Sequence, residues 1–154
     1  MDELPRIVEA FQATTLLVTH SRDEALRLAE DLVVLAEGRV QAVGEAYDVA
    51  ANPRVAAVAE VLGYTVLTRS ARTLAVPPGA LRPGPGPLAF SLTVEHLVNL
   101  VGVCEIVGHI GNVPVRIEWA PDDARPHPGD RVTVHAARAS ELDENVLGGP
   151  PIPD

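Results

Sequence analysis

Leu4, Ile7, Val8 and Phe11 recur at i, i+3, i+4 and i+7, the apolar stripe of an amphipathic helix. Residues 14–19 (TTLLVT) follow as a short, β-branched apolar run, which predicts a buried parallel strand ending at His20. Ser21 and Glu24 then form an S-x-x-E capping box, so a helix should start directly after that histidine. Asp23 and Glu24 in its first turn suit the positive end of the helix dipole, and Ala25, Leu28, Ala29 and Leu32 supply an apolar face. The next stretch, LVVLAEGRVQAVG, predicts two strands over residues 32–35 and 39–43, joined by a tight turn at Glu37 and Gly38. Residues 47–51 read as a short helix. Asn52 and Pro53 stop it, and a second helix is expected over 53–62, with Val55, Val58, Ala59 and Leu62 inward and Gly63 ending it.

Beyond residue 63 the period changes to two. Short strands are predicted over residues 65–68, 73–76, 88–94, 101–107, 113–119 and 131–135. The Pro- and Gly-rich stretch 77–87 (PPGALRPGPGP) is expected to be a loop or linker, and residues 108–112 and 121–129 to separate strands. Many short strands between turn signals imply a small closed or partly open barrel. The fold class expected is therefore an α/β portion with a partial parallel sheet, followed by an all-β small barrel, α+β overall. The tail 148–154 (GGPPIPD) should be frayed and disordered.

Composition narrows the chemistry. The 154 residues carry 12 basic and 21 acidic side chains, a net charge of −9, which argues against broad phosphate-backbone binding, so no nucleic-acid partner is expected. Every basic residue is Arg. Without Lys there is no Schiff-base chemistry and no P-loop, whose GxxxxGK[ST] pattern requires one. The lone Cys104 lies in an apolar strand and excludes an intrachain disulfide; it reads as a small core residue. His96, His109, His127 and His135 match no metal-ligand spacing, so no metal site is expected. Asp122, Asp123 and Asp130 read as a solvated turn without the ligand alternation of a calcium loop. Arg69, Arg72 and Arg82 could face an anion, though edge charges that block strand pairing explain the first two as well. No apolar run approaches the ~20 residues of a membrane span. The acidic, amphipathic start is not expected to be a signal peptide.

Residues 4–63 carry a recognisable order of features. A strand ends in Thr19 and His20; a helix opens with Glu24, Ala25 and Leu26; Val33, Val34 and Leu35 form a strand. Glu37, Gly38, Arg39 and Val40 make a turn, followed by Val43 and Gly44. Asn52 and Pro53 precede a close over residues 58–63 (VAEVLG). This order resembles the last part of an ABC-transporter nucleotide-binding domain, of the importer type that carries a C-terminal regulatory domain. Residues 64–142 look like that regulatory domain, a transport-associated, oligonucleotide/oligosaccharide-binding (OB) type barrel. Thr93, Val94, Glu95, His96 and Leu97 resemble it, as do Gly102 and Val103, residues 128–134 (PGDRVTV) and Ala139, Ser140, Glu141 and Leu142.

The resemblance implies a division into a nucleotide-binding-domain tail over 1–63, a regulatory β domain over 64–147 and a tail over 148–154. It implies that His20 is the switch histidine, a catalytic residue only in a complete ATPase, where a neutral imidazole can donate to a γ-phosphate oxygen. ATP and Mg²⁺ would be cofactors of the intact parent; none is expected for this chain alone, and neither is ATP turnover. The implied partners are the parent's nucleotide-binding domain, a second copy in a homodimer and a membrane permease, with a cytoplasmic location at the inner membrane face. Where the family usually has Asp then Gln after the histidine, this chain has Ser21 and Arg22. The P-loop, the signature motif and the catalytic carboxylate are missing. The alternative is a free-standing module binding a small oxyanion of the molybdate or tungstate kind. For that reading Asn99, Arg138 and Ser140 are the ligand candidates, faint remnants of the anion motifs of such barrels.

Overall fold

In the computed structural model, residues 14–100, 103–119 and 125–143 are described. The chain divides into two compact units between Asn52 and Pro53. The helix expected over residues 4–11 and the frayed tail lie outside the described residues.

In the first unit, helix α1 (Arg22–Leu28) begins where the capping box places it: the Ser21 side chain accepts from Glu24 N at 3.3 Å. The box closes indirectly. Thr19 Oγ1 donates to the Glu24 carboxylate and accepts from Ser21 N at 3.0 Å, so one hydroxyl joins the acid to the cap backbone. Strands β1 (Asp31–Ala36) and β2 (Arg39–Glu45) form an antiparallel hairpin. Its two-residue turn has positive φ at both Glu37 (53°) and Gly38 (71°), as a type I′ connection requires. Helix α2 (Ala46–Ala51) lies against the hairpin, and its first N–H donates to Glu30 O at 2.8 Å. Leu32 and Val34 are buried on one face of β1, whereas Val33, Leu35 and Val43 stand exposed on the other.

The run 14–19 corrects the expected parallel strand. Residues 14–19 are not part of a strand in the described residues, and Leu16 and Val18 are 88% and 85% exposed. A buried parallel strand needs hydrogen-bonded neighbours on both sides and covered faces. Among the described residues of this unit the only sheet is the β1–β2 hairpin.

The second unit opens with α3 (Ala56–Val61), which starts three residues later than expected; Val55 is its N-cap. Its end is a Schellman motif: Gly63 (φ 76°) donates to Glu60 O at 2.9 Å and Tyr64 N to Ala59 O at 2.8 Å. Strands β3 (Thr65–Arg69) and β4 (Arg72–Val76) form a hairpin, and β10 (Ser140–Glu141) adds to β4. One face of this sheet gives Leu67, Leu74 and Val76 to the main core. The other carries Ala75 and Val66 to Ala59 of α3 and to Leu142.

The larger sheet contains β5 (Leu81–Pro83), β6 (Leu88–Leu100), β7 (Val103–Ile110), β8 (Val113–Trp119) and β9 (Arg131–Ala136), in the order β5-β9-β6-β7-β8. The outer strands β5 and β8 approach each other without forming a ladder, so the sheet is a curled, OB-like half-barrel. Phe90, Leu92, Val94, Ile106, Ile117 and Val134 fill its interior. The β5 strand falls inside the Pro-rich stretch. Leu81 is buried in the core and residues 81–83 pair with β9, so this stretch is part of the sheet rather than a linker.

Strand β6 runs six residues beyond its expected end. Its register shifts between Val94 and His96, a bulge that leaves Glu95 as the extra residue. Phe90, Leu92 and Val94 face the core at period two, and after the bulge Leu97 packs there instead of His96. One residue of slippage ended the alternation in the sequence while the strand continued. Strand β7 likewise extends through Gly108 to Ile110, and the turn is only Gly111 and Asn112.

Candidate functional site

His20 lies immediately before the α1 cap and is exposed. Its neighbours are fixed by local hydrogen bonds: Thr19 by Glu24, Ser21 by the helix N-terminus. The imidazole is thereby presented at the entrance of a capped helix, open to whatever approaches. Arg22, which stands where the family has Gln, approaches Asp23 at 3.5 Å, and its Nε is buried without a hydrogen-bond partner. No hydrogen bond or ion pair to the His20 side chain is found among the described residues. The arrangement can donate or accept one proton or hydrogen bond, and phosphoryl transfer requires more than that.

The three ligand candidates do not form one cluster. Asn99 is exposed near the far end of β6, opposite Cys104. Arg138 is exposed after β9, and Ser140 sits half-buried on β10 opposite Ala75. Since Ala136 pairs with Leu88 at the start of β6, the first candidate is at the opposite end of that strand from the other two.

Several of the other side chains that the sequence singles out have partners of their own. Arg69 stacks 5.9 Å from the Phe90 ring centroid, Arg72 meets Glu141 at 3.3 Å, and Arg82 donates to Leu81 O at 3.1 Å, so these three do not converge on an anion. His109 lies 3.2 Å from Glu95, the bulge residue, and His135 Nδ1 lies 3.1 Å from Gly84 O. Asp130 closes its own turn by accepting from His127 N at 2.8 Å; Asp122 and Asp123 lie outside the described residues. Cys104 is buried in β7. Among the described residues no group of three His, Cys, Asp or Glu could hold a metal ion, and no helix is long and apolar enough to cross a membrane.

Cavities lie in the β unit among the described residues. One, of about 230 Å³, lies at the seam between β5 and β8 and carries Arg82, Arg116, Glu105 and Glu118. Another is an open groove of about 620 Å³ along Pro83, Gly84, Trp119, Arg125 and residues 130–133. Sequence reasoning did not find this groove. Its signal was the single Trp at a strand end with two Arg close behind, which only the fold brings to one place.

Comparison with known proteins finds relatives along most of the chain. Its homologues are ATP-binding subunits of ABC importers, and the match is to a C-terminal portion of such a subunit. It is 28% identical to sn-glycerol-3-phosphate import ATP-binding protein UgpC 1 of Rhizobium etli, over 86% of this chain and 44% of that protein. It is 29% identical to the sulfate/thiosulfate import ATP-binding protein CysA of Bradyrhizobium diazoefficiens, over 81% of this chain and 44% of the relative. A spermidine/putrescine import ATP-binding protein PotA of Desulfitobacterium hafniense is 36% identical over 40% of this chain and 18% of its own length. No family model matches the chain. The chain spans less than half the length of the first two relatives. These likenesses do not favour the free-standing oxyanion module.

Proposed function

We propose that the chain works as the C-terminal portion of an ABC importer ATP-binding subunit. Residues 1–63 would complete a nucleotide-binding domain, and the β domain over residues 64–147 would be its regulatory and dimer-forming domain. The observation that carries this reading is the alignment of import ATP-binding proteins along most of the chain, together with the helix capped directly after His20. In the intact subunit, ATP and Mg²⁺ would be held by elements supplied elsewhere. His20 would then offer one imidazole N–H to the terminal phosphate, its backbone held by the Thr19–Glu24–Ser21 network. ATP turnover at a subunit dimer would drive solute uptake through a permease at the inner face of the cell membrane.

The exposed run 14–19 fits this role. In the complete domain, neighbouring strands would pair with its backbone and cover Leu16 and Val18, whose exposure is otherwise costly. The test is a chimera in which this chain replaces the matching C-terminal portion of the Rhizobium etli relative. Mg²⁺-dependent ATP hydrolysis by the chimera, lowered at least tenfold by His20→Ala, supports the role. A folded chimera with no turnover, or with turnover indifferent to His20, refutes it.

A further inference from the structure

The seam cavity between β5 and β8 is lined by charges that its own walls leave unmatched. On β8, Ile117 is buried in the core, so its neighbours Arg116 and Glu118 face outward. On β7, Glu105 stands directly opposite Glu118. Like charges opposed across a ladder repel unless a cation lies beside them. Arg116 approaches Glu105 at 3.9 Å, but no ion pair or hydrogen bond to the Glu118 side chain is found among the described residues. Across the seam, Arg82 of β5 donates one N–H to Leu81 O at 3.1 Å, and the rest of its guanidinium makes no ion pair among the described residues. Arg82 and Glu118 thus line one cavity from facing strands, opposite in charge, without meeting each other. Buried Leu81 and Ile117 give the same space an apolar wall.

We propose that the seam binds a small aliphatic α-amino acid as its zwitterion. Its carboxylate lies on the Arg82 guanidinium, its ammonium between Glu118 and Glu105, and its side chain against Leu81 and Ile117. A lone anion would meet two carboxylates there, and a lone cation two guanidinium groups; a ligand carrying both charges suits each wall. The volume, about 230 Å³, is below the roughly 300–1,000 Å³ of sites for drug-sized ligands, which restricts the ligand to a small molecule. The site stands apart from Asn99, Arg138 and Ser140. It is independent of the role proposed for His20, since every residue in it belongs to the β unit.

The full chain is titrated by calorimetry with glycine, L-alanine and L-valine. Propionate is alanine without its ammonium and ethylamine is alanine without its carboxylate, so these two test each charge alone at matched ionic strength. Saturable heat with at least one amino acid is expected, with propionate and ethylamine at least tenfold weaker. Arg82→Gln and Glu118→Gln should each weaken binding about tenfold or more, because a hydrogen bond to a charged group is lost in each. Both side chains are exposed, so both variants should keep their thermal midpoint. Arg39→Gln removes the same charge from the first unit and should leave the affinity unchanged. No saturable binding of any amino acid would overturn the proposal. So would propionate or ethylamine bound as tightly as alanine, unchanged affinity in Arg82→Gln or Glu118→Gln, or an equal loss in Arg39→Gln.

Discussion

Ser70 and Ala71 connect β3 to β4 with φ of 50° and 62°, a left-handed turn made without glycine. Each such residue bears a steric cost of about 1–2 kcal/mol. Ala71→Gly should therefore stabilise the β unit by about 1 kcal/mol in urea unfolding, and a loss of stability would contradict the left-handed assignment. Gly108 makes the opposite case. A Cβ there would sit 2.1 Å from the Thr93 carbonyl oxygen, which is backbone and cannot step aside. Gly108→Ala should cost about 1–3 kcal/mol by forcing β6 and β7 apart, measured in the same unfolding experiment. Neither site could be judged from sequence. Ala71 carries no turn signal, and Gly108 reads as the beginning of a loop because its neighbour across the sheet, Val94, is fourteen residues away in the chain.

At the scale of elements, locally encoded features were legible. The Ser21 cap, the type I′ turn at Glu37 and Gly38, and the Gly63 stop each depend on residues within about one turn of chain. Ser21→Ala should remove one N-cap acceptor and destabilise α1 by about 1 kcal/mol, read as faster amide exchange at Glu24 and Ala25. Elements whose limits depend on distant partners are not legible in the same way. The bulge of β6 breaks the alternation before the strand ends, Pro and Gly surround and conceal β5, and the apolar run 14–19 predicts a sheet that the described residues do not supply. Leu92, fully buried midway along β6, anchors the part of that strand that pairs with β9, and Leu92→Ala should cost about 2–5 kcal/mol. A cost below 1 kcal/mol would place the core elsewhere.

For the whole molecule, the two compact units bear different demands. The β unit closes its own core, with twelve buried residues in one cluster. The first unit leaves Leu16, Val18, Val33, Leu35 and Val43 in solvent. Such a surface favours association, so light scattering should show concentration-dependent self-association of the chain, reduced by Val33→Thr with Val43→Thr, which face each other across the hairpin. A strict monomer at millimolar concentration would speak against it. The isolated chain should also show no Mg²⁺-dependent ATP turnover; a His20-sensitive activity in the pure chain would contradict that expectation.

The sequence by itself determined the two regimes of periodicity, the caps and turns, and the ordered features around His20 that agree with import ATP-binding proteins. These depend on short-range chemistry, which a linear reading contains. Tertiary structure decided where β6 bends, that the Pro-rich stretch joins the sheet, that Asn99 stands apart from Arg138 and Ser140, and that Trp119 meets Arg125 and Arg131 in one groove. Those outcomes depend on strand register and on which edges remain unpaired, and register is settled only when the faces of distant strands are buried against one another.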